Sequence, residues 1–255
     1  MGVYTDPIRA VFLDAGNTLL RIDYAVIAAE LARHGVRVTP DQVQRAEWRA
    51  RVRLDDEVLS RARPGATTED SSVATAYLRF VLEGLGVTDE ATIERVAEWR
   101  RTYNLPVGFW NTLEPQAPEA LALVREAGLR AAVISNSNGS IRAILSSLGL
   151  AGHFDFVLDS SEVGVEKPDP RIFAVALGQA GLTPAEAVYV GDLYSVDVRG
   201  ARAAGMRAVL LDPGGHWGAR DCPMAPDLLS AIRLVLDWRG EDAAPGAERT
   251  RLGRG

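Results

Sequence analysis

The chain has 255 residues, with 28 Lys plus Arg against 34 Asp plus Glu and a net charge of -6. A pI near 5.2 argues against a general nucleic-acid backbone binder, which needs a basic face, and no apolar run approaches the ~18 residues of a membrane span. Its one cysteine, Cys222, cannot close an internal disulfide, which fits a reducing, cytoplasmic setting, and the N-terminal MGVYTDPIRA lacks the charged-then-apolar order of a secretory signal.

The first predicted strand is the apolar run Ala10 to Leu13. From about Arg21 to Asn111 no strand is predicted. Residues 24–34, 39–60, 69–85 and 90–103 carry apolar side chains three and four apart, the spacing of about four helices. Pro64-Gly65 and Gly84 to Val87 mark breaks between them. The core sheet is expected to resume near Leu113. Apolar runs Ala131 to Ile134, Phe154 to Leu158, Ala187 to Val190 and Ala208 to Leu211 then alternate with amphipathic stretches over 118–127, 140–148, 170–180 and 195–204. Gly128, Gly149, Gly181 and Gly205 follow these stretches, where a left-handed C-terminal cap is favoured. The predicted fold is therefore α/β, a doubly wound parallel sheet forming a core of residues 1–20 and 113–239. Residues 21–112 form an inserted all-helical domain, and 240–255 a disordered tail.

In such a sheet, ligands bind beyond the carboxyl ends of the strands. Four of those ends carry polar residues: Asp14 in Asp14-Ala15-Gly16-Asn17-Thr18, Ser135-Asn136, Lys167-Pro168, and Gly191-Asp192 with Asp197 five positions on. Alone, each also reads as a turn, a helix cap, a solvated loop or a helix N-terminus. Lys167 differs from a solvated loop lysine in one respect: the other 27 of the 28 basic residues are Arg. A site that needs a compact ammonium would resist replacement by a planar guanidinium. Asp14, Asp192 and Asp197 gathered together would repel without a cation, and hard oxygen ligands suit Mg²⁺. Ser135 and Lys167 then suit phosphate oxygens.

These motifs, in this order, resemble those of the haloacid dehalogenase-like hydrolase superfamily, and the segment from His153 to Met206 is especially similar to its domain-containing branch. The resemblance implies a Rossmann-like core with a helical cap that closes over the site and selects the substrate. It also implies a Mg²⁺-dependent phosphohydrolase of a small phosphorylated molecule, working through an aspartyl-phosphate on Asp14. Asp14, the Gly16 carbonyl and Asp192 would hold the metal, with Asp197 supporting it through water or orienting Lys167. Ser135 and Lys167 would bind phosphoryl oxygens, with Asn136 and Thr18 in support.

One departure stands out. Phosphatases of the superfamily usually carry a second aspartate, a general acid–base, at the position of Gly16. The candidates to replace it are Asp23, His34 or another residue of the cap, and Gly16→Asp is expected to raise the rate. The departure leaves two other readings open: a non-catalytic phosphoryl-ligand binding or interaction protein, and a metal-independent 2-haloacid dehalogenase, against which Asp192 and Asp197 count. Arg45, Arg49, Arg51, Arg53, Arg61 and Arg63 read as a solvated helix face, with one alternative, that a single arginine turns into the cleft to grip an anionic substrate. Trp48, Trp99 and Trp110 read as core. Substrate identity, inward-facing cap residues and oligomeric state are not legible at this level.

Overall fold

Val11 and Leu13 of the first strand enter one apolar cluster, whereas Ala10 and Phe12 enter another. This period of two buries both faces of the strand, as a central strand of a parallel sheet requires. The computed structural model describes residues 7–61, 71–105 and 107–243. Its elements in chain order are β1 (Ala10–Leu13), β2 (Leu20–Ile22), α1 (Tyr24–Arg33), α2 (Pro40–Glu57), α3 (Ser71–Gly84), α4 (Glu90–Thr102), β3 (Trp110–Leu113), α5 (Ala117–Glu126), β4 (Arg130–Ser135), α6 (Ile141–Ser147), β5 (Phe156–Asp159), α7 (Ser160–Val163), α8 (Pro170–Ala180), β6 (Ala187–Gly191), α9 (Arg199–Ala203), β7 (Arg207–Leu211), β8 (Met224–Ala225) and α10 (Leu228–Ala243).

Six strands form one sheet in the order β5-β4-β1-β6-β7-β8, with every pair parallel. The sheet winds outward in both directions from β1, which lies between β4 and β6. Its carboxyl end is thus the switch point where a crevice opens. The predicted glycine caps are present: Gly128, Gly149, Gly181 and Gly205 all have φ between 63 and 83°, a region glycine enters without steric cost.

The helices α1 to α4 share a third apolar cluster of their own, built around Leu31, Val43, Leu82 and Val96. Asp23 caps α1 by accepting from Ala25 and Val26 N–H, and α2 opens on a Thr39–Gln42 capping box with Pro40 in its first turn.

Three expectations need correction. A strand does occur after Arg21: β2 pairs antiparallel with β3 in a separate two-stranded sheet, with Leu20 opposite Leu113. The chain enters and leaves the helical segment side by side, and these short ribbons satisfy each other's backbone groups. The region near Leu113 therefore belongs to that ribbon, and the core sheet resumes only at Arg130. The stretch after β6 begins as a π turn over Tyr194–Val198 before α9. Finally, α10 continues through Ala243, so the first residues assigned to the tail are helical. Residues 244–255, like Pro64-Gly65, lie outside the described residues. Among the described residues no helix is long and apolar enough to cross a membrane.

Candidate active site

Asp14 follows β1 directly, and its N–H donates to the Val190 carbonyl of β6 at 2.9 Å. The register sets Leu13 level with Val133 of β4 and Val190 of β6. Ser135 and Asp192 thus end up on either side of Asp14. Lys167 arrives from the loop before α8, and it is 3% exposed. Its Nζ donates to Asp14 Oδ1 at 2.6 Å, to the Tyr189 hydroxyl at 2.8 Å and to Asp197 Oδ1 at 2.8 Å. All three ammonium protons are used. Burial alone would lower the Lys167 pKa, but the Asp14 and Asp197 carboxylates outweigh it and hold the ammonium above its ordinary range.

Asp14, Asp192 and Asp197 each offer an oxygen within 4.8 Å of the others. Burial pushes the Asp14 carboxyl up to about 6; Lys167 opposes this and Asp197 adds to it. Asp192 is also raised well above the carboxylate range, by burial first, with Arg51 opposing and Asp14 and Asp197 reinforcing. Three carboxylates around one ammonium leave negative charge uncompensated, which is the electrostatic condition for a divalent cation. Asp192 Oδ2 accepts from Asn17 Nδ2 at 3.1 Å and lies 3.4 Å from Arg51 Nη1. Its Oδ1 accepts no hydrogen bond among the described residues. Asp197 has no such free edge: Oδ1 takes Lys167, with the Tyr189 hydroxyl 3.3 Å away, and Oδ2 takes the Asp192 and Leu193 N–H groups at 3.1 and 2.9 Å.

The remaining candidates divide. Ser135 is buried beside Asp14, and its Oγ has only a marginal 3.5 Å contact with the Asn136 carbonyl. The Asn136 side chain clamps Lys167, donating to its carbonyl at 2.9 Å and accepting from its N–H at 2.8 Å. It therefore holds the Lys167 loop, and Asn136 also lines the cavity above Asp14. Thr18 is fully buried and lines a neighbouring cavity with Arg21 and Gln116 instead of the one above Asp14. The two named replacements for the acid are elsewhere: Asp23 caps α1, His34 contacts Glu30, and neither lines that cavity.

That cavity, of about 440 Å³, has Asp14, Gly16, Ser135, Lys167 and Asp192 at its base and Arg51, Leu54, Val73, Tyr77 and Trp110 on its other wall. The volume suits a small metabolite. The wall is polar where it meets the base. Arg51 is buried, with Nε and Nη2 forked onto Glu47 at 2.9 and 2.6 Å. Glu47 also accepts from Tyr77 at 2.6 Å and Tyr24 at 3.2 Å. Of the arginine group, Arg45, Arg49 and Arg61 are exposed and Arg53 is half-buried, but Arg51 turns inward; Arg63 lies outside the described residues.

The sequence profile of the haloacid dehalogenase-like hydrolase family matches residues 8–205. The chain belongs to this family. It is 36% identical over 212 residues to human haloacid dehalogenase-like hydrolase domain-containing protein 3, covering 80% of this chain and 82% of that one. Over 117 residues, 46% of each chain, it is 47% identical to a phosphoserine phosphatase of Thermus thermophilus. Among solved structures, a 2-haloacid dehalogenase from Pseudomonas syringae is similar with TM-score 0.55 and 28% identity, covering 91% of this chain and 99% of that one.

Several residues of this hydrolase site escape a sequence reading. Tyr189 sits within an apolar strand run and reads as core, yet its hydroxyl accepts from Lys167 and donates to the Ile134 carbonyl. Asn17 adopts φ 54°, a region where Asn is tolerated, and this aims its amide at Asp192. Asp159, at the end of β5, accepts from the Gly139 and Ser161 N–H groups at 2.9 and 3.0 Å and so shapes the loop after Ser135. For Asn17 the usable clue is its place in the tight turn after Asp14; for Tyr189 and Asp159 there is none beyond lying on or ending a central strand.

Proposed function

We propose that this hydrolase cleaves a small phosphate ester, with Asp14 as the nucleophile. The observation that carries the reading is the Lys167 ammonium spanning Asp14 and Asp197 at the base of the cavity, with Asp192 beside them. Asp14 Oδ attacks phosphorus, the bond to the leaving oxygen breaks, and an aspartyl-phosphate forms; splitting the reaction in two replaces one hard step with two easier ones. Lys167 holds Asp14 in place and offers its charge to the phosphoryl oxygens, and Ser135 Oγ is available to donate to them. Asp197 positions Lys167 and the loop of Asp192, because both of its oxygens already accept from those two partners.

The donor set fits Mg²⁺: hard oxygens from Asp14, Asp192 and the Gly16 carbonyl would hold it, and it would offset phosphoryl charge. Residues 21–112 act as a cap that excludes water and selects substrate through the residues facing Asp14.

The test is phosphate release from an aryl phosphate, with Mg²⁺ and with chelator. Metal-dependent release that disappears in Asp14→Asn is the expected result. Halide release from 2-chloropropionate in chelator would replace this reading with dehalogenation, and phosphate binding without turnover on a broad panel would replace it with a ligand-binding role.

A further inference from the structure

Cleaving a P–O bond leaves an electron pair on the departing oxygen, and something must stabilise it. Among the described residues no histidine or glutamate lines the cavity. Its aspartates are Asp14, Asp192 and Asp197. The first is the proposed nucleophile, and the other two are tied to Asn17, Arg51, Lys167 and the loop N–H groups. The wall offers a different kind of group. A Cβ built on Gly16 would lie 3.2 Å from Trp110 Nε1 and 3.3 Å from Trp110 Cδ1. The indole nitrogen therefore stands within reach of the direction a side chain at position 16 would take, two residues beyond Asp14. That nitrogen is buried and has no hydrogen-bond acceptor. The ring is held in place by stacking on Tyr77, at 5.9 Å between centroids and 13° between planes, and Tyr77 is itself anchored on Glu47.

An indole N–H donates and does not ionise. We propose that the Trp110 N–H donates a hydrogen bond to the departing oxygen. The enzyme is accordingly selective for phosphoryl compounds whose leaving group is stable as an anion: aryl, enol or acyl phosphates rather than simple alkyl esters. The proposal rests on Asp14 being the nucleophile. As the Asp14 Oδ–P bond forms and the P–O bond breaks, the bonding pair passes to the leaving oxygen. The indole keeps its proton, and the released anion takes one from water. The tight spacing also explains the glycine. Gly16→Asp would push into the indole, so the acid it adds comes with a displaced Trp110 donor and the gain in rate expected from the sequence is reduced.

The experiment measures kcat and KM over a series of substituted phenyl phosphates, plus glycerol phosphate, with Mg²⁺. Wild type is expected to turn over glycerol phosphate at least ~10-fold more slowly than phenyl phosphate. Trp110→Phe, which keeps the stacked ring, is expected to lose about 10²-fold in kcat on phenyl phosphate, the usual effect of deleting one such donor. It should lose far less on 2,4-dinitrophenyl phosphate, with KM little changed, so the dependence on leaving-group pKa steepens. Trp110→His, which retains a ring N–H, is expected to recover part of that slope. Gly16→Ala, which displaces the indole without deleting it, should steepen the slope too and serves if the Trp110 variants do not fold. A uniform loss across the series, no loss, or fast glycerol phosphate turnover overturns the proposal while Asp14→Asn remains inactive. An active Asp14→Asn overturns the nucleophile reading instead.

Discussion

Two buried cations meet at this site, one from the core and one from the helices, and they are solved differently. Lys167 lies among acceptors from three elements: Asp14 after β1, Tyr189 in β6 and Asp197 in the π turn, at 2.6, 2.8 and 2.8 Å around a single nitrogen. Arg51 spreads over two elements, with one edge of its fork on Glu47 one turn earlier in α2 and Nη1 3.4 Å from Asp192 across the cavity. A point charge suits converging acceptors, and a planar fork suits a carboxylate met edge-on. A chain that uses arginine everywhere else has its one lysine where three acceptors converge.

Removing the acceptor beneath the fork is expected to have the largest effect. Glu47→Ala leaves a buried guanidinium and the Tyr24 and Tyr77 hydroxyls without their carboxylate. Breaking a buried pair from one side costs about 3–5 kcal/mol, and urea unfolding should show a loss of that size. A loss below 1 kcal/mol would mean that water enters and replaces Glu47. Next is Lys167→Arg. One guanidinium plane cannot direct donors at the three Lys167 acceptors together, so kcat/KM on an aryl phosphate should fall by about 10²–10³-fold. Behaviour like wild type would make the lone lysine an accident of composition. Gly191→Ala then separates the two clusters. Its Cβ would sit 2.4 Å from Asp197 Cγ, which displaces the carboxylate that holds Lys167 and leaves Glu47 and Arg51 alone. Overpacking of this kind costs about 1–3 kcal/mol, and a phosphatase assay should show a loss of turnover beyond the drop in folded fraction.

The core cluster was far more legible in the sequence than the helical one. Asp14, Ser135, Lys167 and Asp192 each stand at or beyond a strand end in a fixed order, and parallel register alone is enough to bring strand ends together. The helical cluster depends on which face α2 presents. Glu47, Arg51 and Asp55 repeat every four residues and form one stripe. Charged residues at that spacing look like a solvated face, yet all three are buried, at 0, 3 and 1% exposure. Only the hydroxyls, amides and backbone groups opposite them make that burial tolerable, and those come from distant parts of the chain. Trp110 was hidden for a related reason: whether an aromatic ring is core or cavity wall depends on what lies against it. The two-residue β8 and three-residue β2 were too short to show a periodicity.

Asp55 completes the stripe and gives the most specific test. It joins the helices to the core by accepting from Ser195 N–H at 2.9 Å and Oγ at 2.8 Å. Burial pushes its carboxyl from 3.8 up to about 6; the two Ser195 bonds oppose this, Asp56 adds to it and Arg220 subtracts. The folded state therefore holds this proton more tightly than the unfolded chain. Below about pH 4 both states carry it and there is no penalty. Between about pH 4 and 6 the unfolded chain releases it first, so stability falls as pH rises, and the full penalty stands above about pH 6. Asp14 titrates in the same direction, so the wild-type profile contains both contributions. Asp55→Asn deletes one of them. Its unfolding free energy should fall by roughly 3 kcal/mol less than wild type as pH rises from below 4 to above 6, while loss of the second Ser195 bond lowers its stability by much the same amount at every pH. Parallel profiles from chemical unfolding at each pH would mean that Asp55 ionises freely where it stands, and that the contact with Ser195 is wet instead of buried.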